Sequence, residues 1–414
     1  MFLPTPISTP YGRVASLVLV AILSWLLVGV SVSGATDAIG GLPATDAVVS
    51  TVVGPEVSMP AGILVSSDGR ELWSRNADER RAMASVTKIM TAVVALENAS
   101  LDDKVKISAR AVAIGESAAG LRPGDTLTVR EILEAMLVKS GNEAAEALAE
   151  QVAGSTDAYV GMMNDKAIEL GLEDTHFTNP HGLHHPEHYS SARDLSILAR
   201  YAMADDEFRR IVGLENVDVD GPGGNAPLAN SNLLIGSYDG ATGIKTGWTS
   251  RAGYCLAASA KRDEIELVAI VLGTDDERAR FAQARSLLDW GFTTYSIQRL
   301  TAPGESLGIV PVGDYLDRVV PAVTADEVRV PVFAPDGDIV RSVDLYPVVS
   351  APVAPGDRIG TLSLTQGDRL LASVPLVSSI QVDKPGVVEQ VWIMLVRAWR
   401  SLFGGQLVAG VVAA

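Results

Sequence analysis

The chain has 414 residues, which is long enough for two or three domains with a sizeable core. Its hydrophobic content of 47% and charged content of 20% are typical of a globular protein and exclude an intrinsically disordered one. The formal net charge of −17 argues against a nucleic-acid partner, because the chain has no excess of Lys and Arg to neutralise phosphates.

Residues 1–35 are predicted to be a signal peptide or an N-terminal membrane segment. An uncharged apolar run follows Arg13 and ends near the small residues Ser33 and Ala35, which is typical of a secretory signal. The run is also long enough to span a bilayer, which needs about 20 residues. The signal peptide is favoured, and both interpretations place the rest of the chain outside the cytoplasm. Residues 36–57 have no clear period and are predicted to be a linker.

Two groups of strands flank a helical region and are predicted to join one sheet. Asp68-Gly69 lies between AGILVSS and ELWSR, which is a strong hairpin signal. Around Gly253 strands return in GYCLAASA and IELVAIVLG, which are separated by a short KRDE turn. A helix is predicted to follow, from about Arg278 to Trp290.

Helical patterns dominate between these two groups of strands. Thr128 with Glu131, and Ser191 with Asp194, have the spacing of a capping box at a helix start. These positions therefore predict where two of the helices begin.

Beyond the last helix the composition changes, and a small β domain is predicted over residues 304–383. Pro, Val, Gly and Asp dominate there, and short strands alternate with turns. Residues 384–414 are predicted to be an amphipathic segment that associates with the membrane surface, because apolar residues recur at helical spacing beside Arg397 and Arg400. A terminal helix packed on its own domain is the alternative.

Ser85 and Lys88 stand three residues apart in ASVTK, at the start of an apolar helical pattern. Positions i and i+3 share a helix face, so an amine is expected beside a hydroxyl. A serine is a poor nucleophile unless a neighbour takes its proton, and a lysine can do so when burial or positive charge lowers its pKa. Alone, this spacing arises by chance in many chains, and a capping serine with a surface lysine is the ordinary alternative.

Ser140, Gly141 and Asn142 interrupt a helical pattern in KSGNEAA. A polar break between two apolar helices can present side chains into a cleft. Ser140 can relay a proton there, and Asn142 can hold a substrate amide. The alternative is an ordinary helix–helix connection, in which Ser, Gly and Asn are common.

Lys245, Thr246 and Gly247 precede a strand in GIKTGWTSRAGYCLA. A lysine charge and a threonine hydroxyl suit a substrate carboxylate, and the glycine lets another chain segment approach the strand closely. The alternative is a loop or edge strand with a solvated lysine.

Together, S-x-x-K, S-x-N and K-T-G in this order resemble the signature of penicillin-binding proteins and class A β-lactamases. The chain resembles the low-molecular-weight penicillin-binding proteins, specifically the serine D-alanyl-D-alanine carboxypeptidases, over roughly residues 55–300. The resemblance implies an α/β (α+β) transpeptidase-like catalytic domain over residues 58–303, with an antiparallel sheet flanked by helices and a helical subdomain, followed by the small all-β domain.

The resemblance implies that Ser85 attacks the carbonyl of the penultimate D-alanine of a peptidoglycan stem peptide. Lys88 would be the base, Ser140 would pass the proton to the departing D-alanine, and Asn142 would position the peptide. The backbone N–H groups of Ser85 and Trp248 would form the oxyanion hole. β-Lactam antibiotics, which mimic this substrate, would acylate the same serine, and no cofactor or metal is implied.

The resemblance also implies the groups that bind the terminal carboxylate of the substrate. Lys245 and Thr246 match the K-T-G motif. The family places an arginine near this carboxylate after the last long strand. Arg280 is the candidate for that position, and Arg278 is its rival.

Other functions with partly shared chemistry remain open on the sequence. A DD-endopeptidase that cuts peptidoglycan cross-links would use the same active site. A β-lactamase is disfavoured, because no E-x-x-L-N segment lies between the second and third motifs. A non-catalytic envelope-binding protein is disfavoured by the intact motifs.

A zinc site is the remaining alternative, since all five histidines lie in HFTNPHGLHHPEH, residues 176–188. A catalytic zinc needs three protein ligands and an open position, but no H-E-x-x-H is present. The segment resembles a loop near the cleft of the family, in which His181 and His188 occupy family positions. His184 and His185 fall in a variable stretch, so a metal is not predicted.

Overall fold

A computed structural model describes residues 53–219 and 227–403. The helices in these ranges are α1 (Lys88–Asn98), α2 (Ala109–Ala113), α3 (Val129–Val138), α4 (Asn142–Ala153), α5 (Thr156–Glu169), α6 (Ala192–Met203), α7 (Asp206–Val212), α8 (Glu277–Thr294) and α9 (Val387–Leu402). The strands are β1 (Ala61–Ser66), β2 (Glu71–Arg75), β3 (Lys104–Lys106), β4 (Thr126–Thr128), β5 (Asn216–Val217), β6 (Leu228–Ala229), β7 (Ala241–Thr249), β8 (Gly253–Arg262), β9 (Ile265–Thr274), β10 (Tyr295–Thr301), β11 (Ser306–Pro311), β12 (Val319–Thr324), β13 (Val328–Phe333), β14 (Ile339–Leu345), β15 (Arg358–Gln366) and β16 (Arg369–Ser378).

The apolar segment predicted within residues 1–35 lies outside the described residues. Within the described ranges, every helix is too short or too polar to cross a bilayer.

A five-stranded antiparallel sheet has the order β2-β1-β9-β8-β7. The predicted hairpin is confirmed, since β1 pairs with β2 across the turn at Asp68 and Gly69, where Gly69 has a φ of +92°. β8 and β9 form a second hairpin that turns at Asp263 and Glu264. The N-terminal and later strands join one sheet, as predicted, because β1 also pairs with β9.

Helices cover both faces of this sheet, so its strands are apolar on both sides. Ile63 and Val65 of β1 belong to the same buried cluster as Ile89 of α1 on one face. Leu64, between them, packs with Leu287 of α8 on the other face. This alternation follows the two-residue period of a strand. The sheet therefore forms a rigid layer between the long helix α8 and the helical subdomain that contains α1.

Side-chain caps define the starts of two helices in that subdomain. At α3 the predicted capping box is confirmed, because the Thr128 side chain accepts from the Glu131 N–H while the Glu131 carboxylate accepts from the Thr128 N–H. At α6 Ser191 caps the N–H of Asp194. The Asp194 carboxylate, however, accepts from the Thr175 hydroxyl at 2.7 Å. The predicted reciprocal box at α6 is therefore wrong, because a distant hydroxyl competes for this carboxylate.

The C-terminal part is a separate antiparallel sheet with the order β11-β12-β16-β15-β14. Its buried cluster is aliphatic and includes Val310, Val320, Leu362, Leu364 and Leu376. β10 and β13 form a further strand pair that follows directly from α8. The predicted fold class, a helix-flanked antiparallel sheet with a helical subdomain and then a small all-β domain, is confirmed.

The C-terminal helix α9 packs on the β domain along one narrow line. Ile393 is buried there, and the Arg397 guanidinium donates a hydrogen bond to the Tyr315 carbonyl at 3.1 Å. Val396 is partly buried, and the remaining large apolar side chains of the helix are exposed: Val387, Val388, Val391, Trp392, Met394, Leu395, Trp399 and Leu402. The helix therefore combines a contact with its own domain and an uncovered apolar face.

Candidate active site

Ser85 lies in a 3-10 turn, Ala84–Thr87, that leads directly into α1. The helix therefore begins at Lys88 rather than at the serine, although the predicted proximity of the two side chains is present. Ala84 has a φ of +50°, so the backbone bends sharply before the serine. The Thr87 hydroxyl stabilises this bend by donating to the Ala84 carbonyl at 2.8 Å.

Lys88 is fully buried, and its Nζ lies near three oxygen atoms. These are Ser85 Oγ at 2.9 Å, Asn142 Oδ1 at 2.7 Å and the His181 carbonyl at 2.8 Å. The Asn142 amide is oriented by its Nδ2, which donates to the Gly115 carbonyl at 3.0 Å. Asn142 Oδ1 and the His181 carbonyl can therefore only accept hydrogen bonds, whereas the Ser85 hydroxyl can either accept or donate.

The pKa of Lys88 is well below its ordinary value, first because burial disfavours the charged amine and then because Lys245 is nearby. Glu143 acts in the opposite direction. A neutral amine has two N–H donors and one lone pair. With both donors directed to Asn142 Oδ1 and the His181 carbonyl, the lone pair is left for the Ser85 hydroxyl proton. This arrangement can convert the serine into a nucleophile.

Ser140 occupies the break between α3 and α4, with a φ of +73°. Its side chain is largely buried, and its hydroxyl makes no hydrogen bond to any of the described residues. Asn142 is the first residue of α4, and the break directs its side chain to Lys88. The second motif is thus joined to the first by the asparagine, while the serine hydroxyl remains available.

Glu143 holds a neighbouring loop against this break. One oxygen of its buried carboxylate accepts from the N–H groups of Ala119 at 2.6 Å and Gly120 at 3.0 Å. The same loop provides the Gly115 carbonyl that orients Asn142. Glu143 therefore contributes to the geometry around Lys88, although it does not contact the serine.

The third motif lies on the edge strand β7. Lys245 is buried and donates to the Thr246 carbonyl at 3.1 Å. Gly247 passes so close to the serine turn that an added Cβ would lie 2.9 Å from both the Ser85 nitrogen and the Met83 carbonyl oxygen. This is the close approach of another segment that the glycine predicted, since a side chain at position 247 would collide with the serine turn. The side chain of the next residue, Trp248, is about half exposed.

Arg280 is buried on α8 and lies behind the third motif. Its guanidinium donates to the Gly247 carbonyl at 3.1 Å and to the Glu277 carboxylate at 2.8 Å. Burial and this arginine together lower the pKa of Lys245 to about 7. Arg278, the rival candidate, is exposed on the same helix. The structure therefore brings Arg280, and not Arg278, into contact with β7.

Four of the five histidines fall into two groups, and His176 is partly buried. His181 and His188 are buried, while His184 and His185 are exposed. His188 Nδ1 accepts from the Thr178 N–H at 3.0 Å, so its Nε2 carries the proton toward the Thr87 hydroxyl at 2.7 Å. Burial is the main cause that lowers the pKa of His188 to about 3, which keeps it neutral.

This bonding gives the histidine loop a structural role beside the serine turn. The loop supplies the His181 carbonyl to Lys88, and His188 ties the loop to the Thr87 hydroxyl. In the ranges 53–219 and 227–403, no group of three or more His, Cys, Asp and Glu side chains is arranged to hold a metal ion.

Three contributors were not identified from the sequence: the His181 carbonyl, the Glu143 carboxylate and the Thr87–His188 hydrogen bond. Backbone carbonyls carry no residue-specific signal. Glu143 directly follows the second motif, and a buried acidic residue at a helix start is the kind of signal that could have indicated it. Thr87 lies inside the first motif, but its partner is 101 positions away.

Comparison with known proteins identifies two matching families. The family model described as D-alanyl-D-alanine carboxypeptidase matches residues 49–276. The model described as penicillin-binding protein 5, C-terminal domain, matches residues 295–384. The two matches cover the helix-flanked sheet and the small β domain, respectively.

Named relatives agree with these matches along most of the chain. The D-alanyl-D-alanine carboxypeptidase DacF of Bacillus subtilis is 33% identical over 342 residues, which cover 79% of this chain and 87% of the relative. DacC of Escherichia coli, with the same description, is 31% identical over 384 residues, or 87% and 94% of the two chains.

A solved structure supports the same assignment in three dimensions. Penicillin binding protein 5 from Haemophilus influenzae superposes with a TM-score of 0.60 at 27% sequence identity, and the match covers 80% of this chain and 99% of that chain. The family resemblance inferred from the three motifs is confirmed. The chain therefore belongs to the D-alanyl-D-alanine carboxypeptidase family.

Proposed function

We propose that this protein is a serine D-alanyl-D-alanine carboxypeptidase that removes the terminal D-alanine from peptidoglycan stem peptides. Family membership supports the reaction. One observation supports the mechanism: the Lys88 Nζ lies 2.9 Å from Ser85 Oγ, and two carbonyl oxygens occupy its remaining hydrogen-bonding directions. A buried, uncharged amine in this position can accept the serine proton.

In the first half of the reaction, Ser85 Oγ attacks the carbonyl carbon of the penultimate D-alanine. Its proton moves to Lys88 Nζ as the new C–O bond forms. The C–N bond then breaks, and Ser140 relays the proton held by Lys88 to the departing D-alanine nitrogen, which leaves Lys88 neutral again. The free Ser140 hydroxyl, on the break that directs Asn142 to Lys88, suits this relay. Water then hydrolyses the acyl-enzyme and restores the Ser85 hydroxyl.

The oxyanion formed during attack requires hydrogen-bond donors directed at one point. We assign this role to the backbone N–H groups of Ser85 and Trp248. The close approach of Gly247 to the Ser85 nitrogen supports the assignment, because it brings these two backbone segments together. Gly247 contributes to the site because it has no side chain to keep these segments apart.

The terminal carboxylate of the substrate needs a positive charge and a hydroxyl near the scissile bond. Lys245 and Thr246 provide them on β7, two to three positions before Trp248. Arg280 places a second positive charge behind the strand, where it donates to the Gly247 carbonyl. Asn142 positions both Lys88 and the peptide. A β-lactam carries a carboxylate next to a reactive amide and would occupy the same groups, which predicts stable acylation of Ser85.

Replacement of Ser85 by alanine is expected to abolish both covalent labelling by a fluorescent penicillin and release of D-alanine from a D-Ala-D-Ala peptide. The reason is that the acyl group has no oxygen to bind. Gel fluorescence, mass spectrometry of the labelled peptide and a D-alanine assay measure these outcomes. EDTA should leave both activities of the unmodified protein unchanged.

Two results would contradict the proposal. One is loss of activity with EDTA that added zinc restores. The other is penicillin label on a residue other than Ser85. Ser196→Ala is the control, because it removes the hydroxyl of a buried serine that, among the described residues, bonds only the Arg193 carbonyl within its own helix α6.

The substrate class implies a site of action outside the cytoplasm. We further propose that α9 rests on the membrane surface through its uncovered apolar face. Trp392 and Trp399 lie on that face and are 63% and 62% exposed. Tryptophan is well suited to the membrane interface because its ring is apolar and its N–H is polar. Arg400 is exposed near the end of the same helix and can meet anionic headgroups.

The double variant Trp392→Ala/Trp399→Ala is expected to reduce binding of the full chain to anionic phospholipid vesicles by about tenfold or more. Vesicle co-sedimentation measures the partition. The matched control is Val340→Ala, an exposed apolar residue of the β domain, which should bind like the unmodified protein. Equal binding of the double variant and the unmodified protein would show that this face does not hold the membrane.

A further inference from the structure

A basic pocket opens beside the serine turn and is separate from the groups assigned to the reaction. Its volume is about 480 Å³. Its lining includes three arginines, two exposed histidines and a tyrosine: Arg80, Arg81, Arg251, His184, His185 and Tyr189. No acidic residue is part of the lining. Such a concentration of basic groups is unusual in a chain whose formal net charge is −17.

The three arginines differ in their partners. Arg81 pairs with Glu79 at 2.6 Å, and Arg80 pairs with Asp174 at 2.8 Å. Arg251 is exposed and forms no ion pair with any residue in the ranges that the structure describes. The pocket therefore contains one guanidinium without an internal counter-charge, and a guanidinium in this state suits a carboxylate ligand.

The pocket is formed by continuations of the three segments that build the active site. Arg81 is four residues before Ser85. His184 is three residues after His181, whose carbonyl contacts Lys88. Arg251 is three residues after Trp248. Since an extended chain advances at most about 3.6 Å per residue, each of these pocket residues lies within about 15 Å of an active-site residue.

The order of groups along β7 fixes which part of a substrate faces the pocket. Lys245 and Thr246, assigned to the terminal carboxylate, come first, and Trp248, assigned to the scissile carbonyl, follows. A peptide lying along this strand therefore continues past Trp248 with the residues that precede the scissile bond. The strand ends at Thr249, and Arg251 lies in the turn that follows. The upstream part of the peptide is thus directed toward Arg251.

We propose that Arg251 and the surrounding basic pocket bind a second carboxylate of the substrate, on a residue two to four positions before the scissile bond. That distance corresponds to about 7 to 14 Å of extended peptide, and Arg251, three residues after Trp248, lies at most about 11 Å from it along the chain. The inference rests on the proposed function and deepens it, because it makes the preferred substrate an acidic peptide that ends in D-Ala-D-Ala.

Two synthetic peptides of equal length test this preference. Both end in D-Ala-D-Ala, and they differ only in Glu or Gln at the third position before the scissile bond. The unmodified protein is expected to release D-alanine from the Glu peptide with a kcat/KM about tenfold higher. In Arg251→Gln this ratio should fall to about one, and in Arg251→Glu the Gln peptide should become the better substrate.

Controls separate this inference from the proposed function. Benzylpenicillin has no upstream carboxylate, so Arg251→Gln should be acylated at the rate of the unmodified protein. Arg299→Gln removes an exposed arginine from β10 and should retain the tenfold ratio. A ratio that survives Arg251→Gln, or an unmodified protein without any preference, overturns the acidic subsite. If Arg251→Gln lowered kcat/KM for both peptides and the acylation rate by the same factor, the inference would also be overturned, since Arg251 would then stabilise the fold rather than bind the carboxylate. Absence of acylation and of D-alanine release in the unmodified protein would overturn the proposed function instead.

Discussion

Replacement of Lys88 by arginine is expected to slow acylation of Ser85 by benzylpenicillin by about a thousandfold, within the range that a positioned base contributes. Arginine keeps a positive charge at every accessible pH and has no lone pair for the serine proton. Lys88→Met is the second variant, because it removes the base without burying a fixed charge. The rate of acylation measured by stopped-flow, together with the thermal unfolding midpoint, separates lost chemistry from lost folding.

The same lysine gives the reaction its pH dependence. Lys88 is active when neutral, so acylation should rise with pH as it loses its proton, at a pH well below the ordinary lysine value of 10.5. Lys245 binds the carboxylate when charged, and its pKa is lowered to about 7, so substrate binding should weaken on the alkaline side. Lys104→Arg, at an exposed residue of strand β3, is the control for charge-conserving exchange. A Lys88→Met protein that is folded and acylates within tenfold of the normal rate would refute the role of Lys88.

Replacement of Gly182 by alanine is expected to destabilise the protein by about 3 kcal/mol and to slow acylation about a hundredfold or more. Gly182 has a φ of +90°, and an added Cβ would lie 2.0 Å from the Ala84 carbonyl oxygen, directly before the serine. The methyl group must therefore displace either the serine turn or the loop that supplies the His181 carbonyl. Denaturant unfolding and the penicillin acylation rate measure the two effects.

Gly154→Ala is the matched control for this substitution. Gly154 also has a positive φ, +75°, but a Cβ there meets no atom within 4 Å. It should cost only the strain of a left-handed alanine, about 1 to 2 kcal/mol, and leave acylation unchanged. If the two variants lost equal stability and both acylated normally, the close contact at Gly182 would have no effect on the site.

Local patterns in the sequence predicted individual elements of the fold, and the resemblance to a known family supplied their arrangement. The Asp68-Gly69 turn and the alternation in β1 predicted a hairpin, and the Thr128–Glu131 spacing predicted the start of α3. Each of these signals acts over a few residues, so the chain displays it without any knowledge of tertiary contacts. The Ser191–Asp194 pair marked the start of α6 correctly, but its reciprocal capping box is absent, because Thr175, nineteen positions before Asp194, donates to the carboxylate.

The active site shows the same difference between local signals, which the sequence displays, and long-range contacts, which it does not. Ser85, Lys88 and Asn142 were predicted from their motifs, and the structure brings their side chains together. Glu143 was visible beside the second motif, but the sequence did not show what it binds, because its partners lie in a loop without pattern, 22 to 24 positions earlier. The choice of Arg280 over Arg278 depended on which face of α8 meets β7, and two arginines on one helix do not reveal that.

The contact between Lys88 and the His181 carbonyl limits how this site can escape inhibition. The oxygen belongs to the main chain, so any residue at position 181 that keeps the loop conformation also keeps the contact. A substitution at position 181 therefore cannot, by itself, remove this hydrogen-bond partner of Lys88 and so weaken β-lactam acylation. A change that displaces the loop, or that alters Ser85, Lys88 or Asn142, would disturb the base, and in the proposed mechanism it is expected to impair peptide turnover as well. Because the proposed mechanism makes the peptide and the drug depend on the same few atoms, tolerance to the drug is expected to carry a loss of peptidase activity.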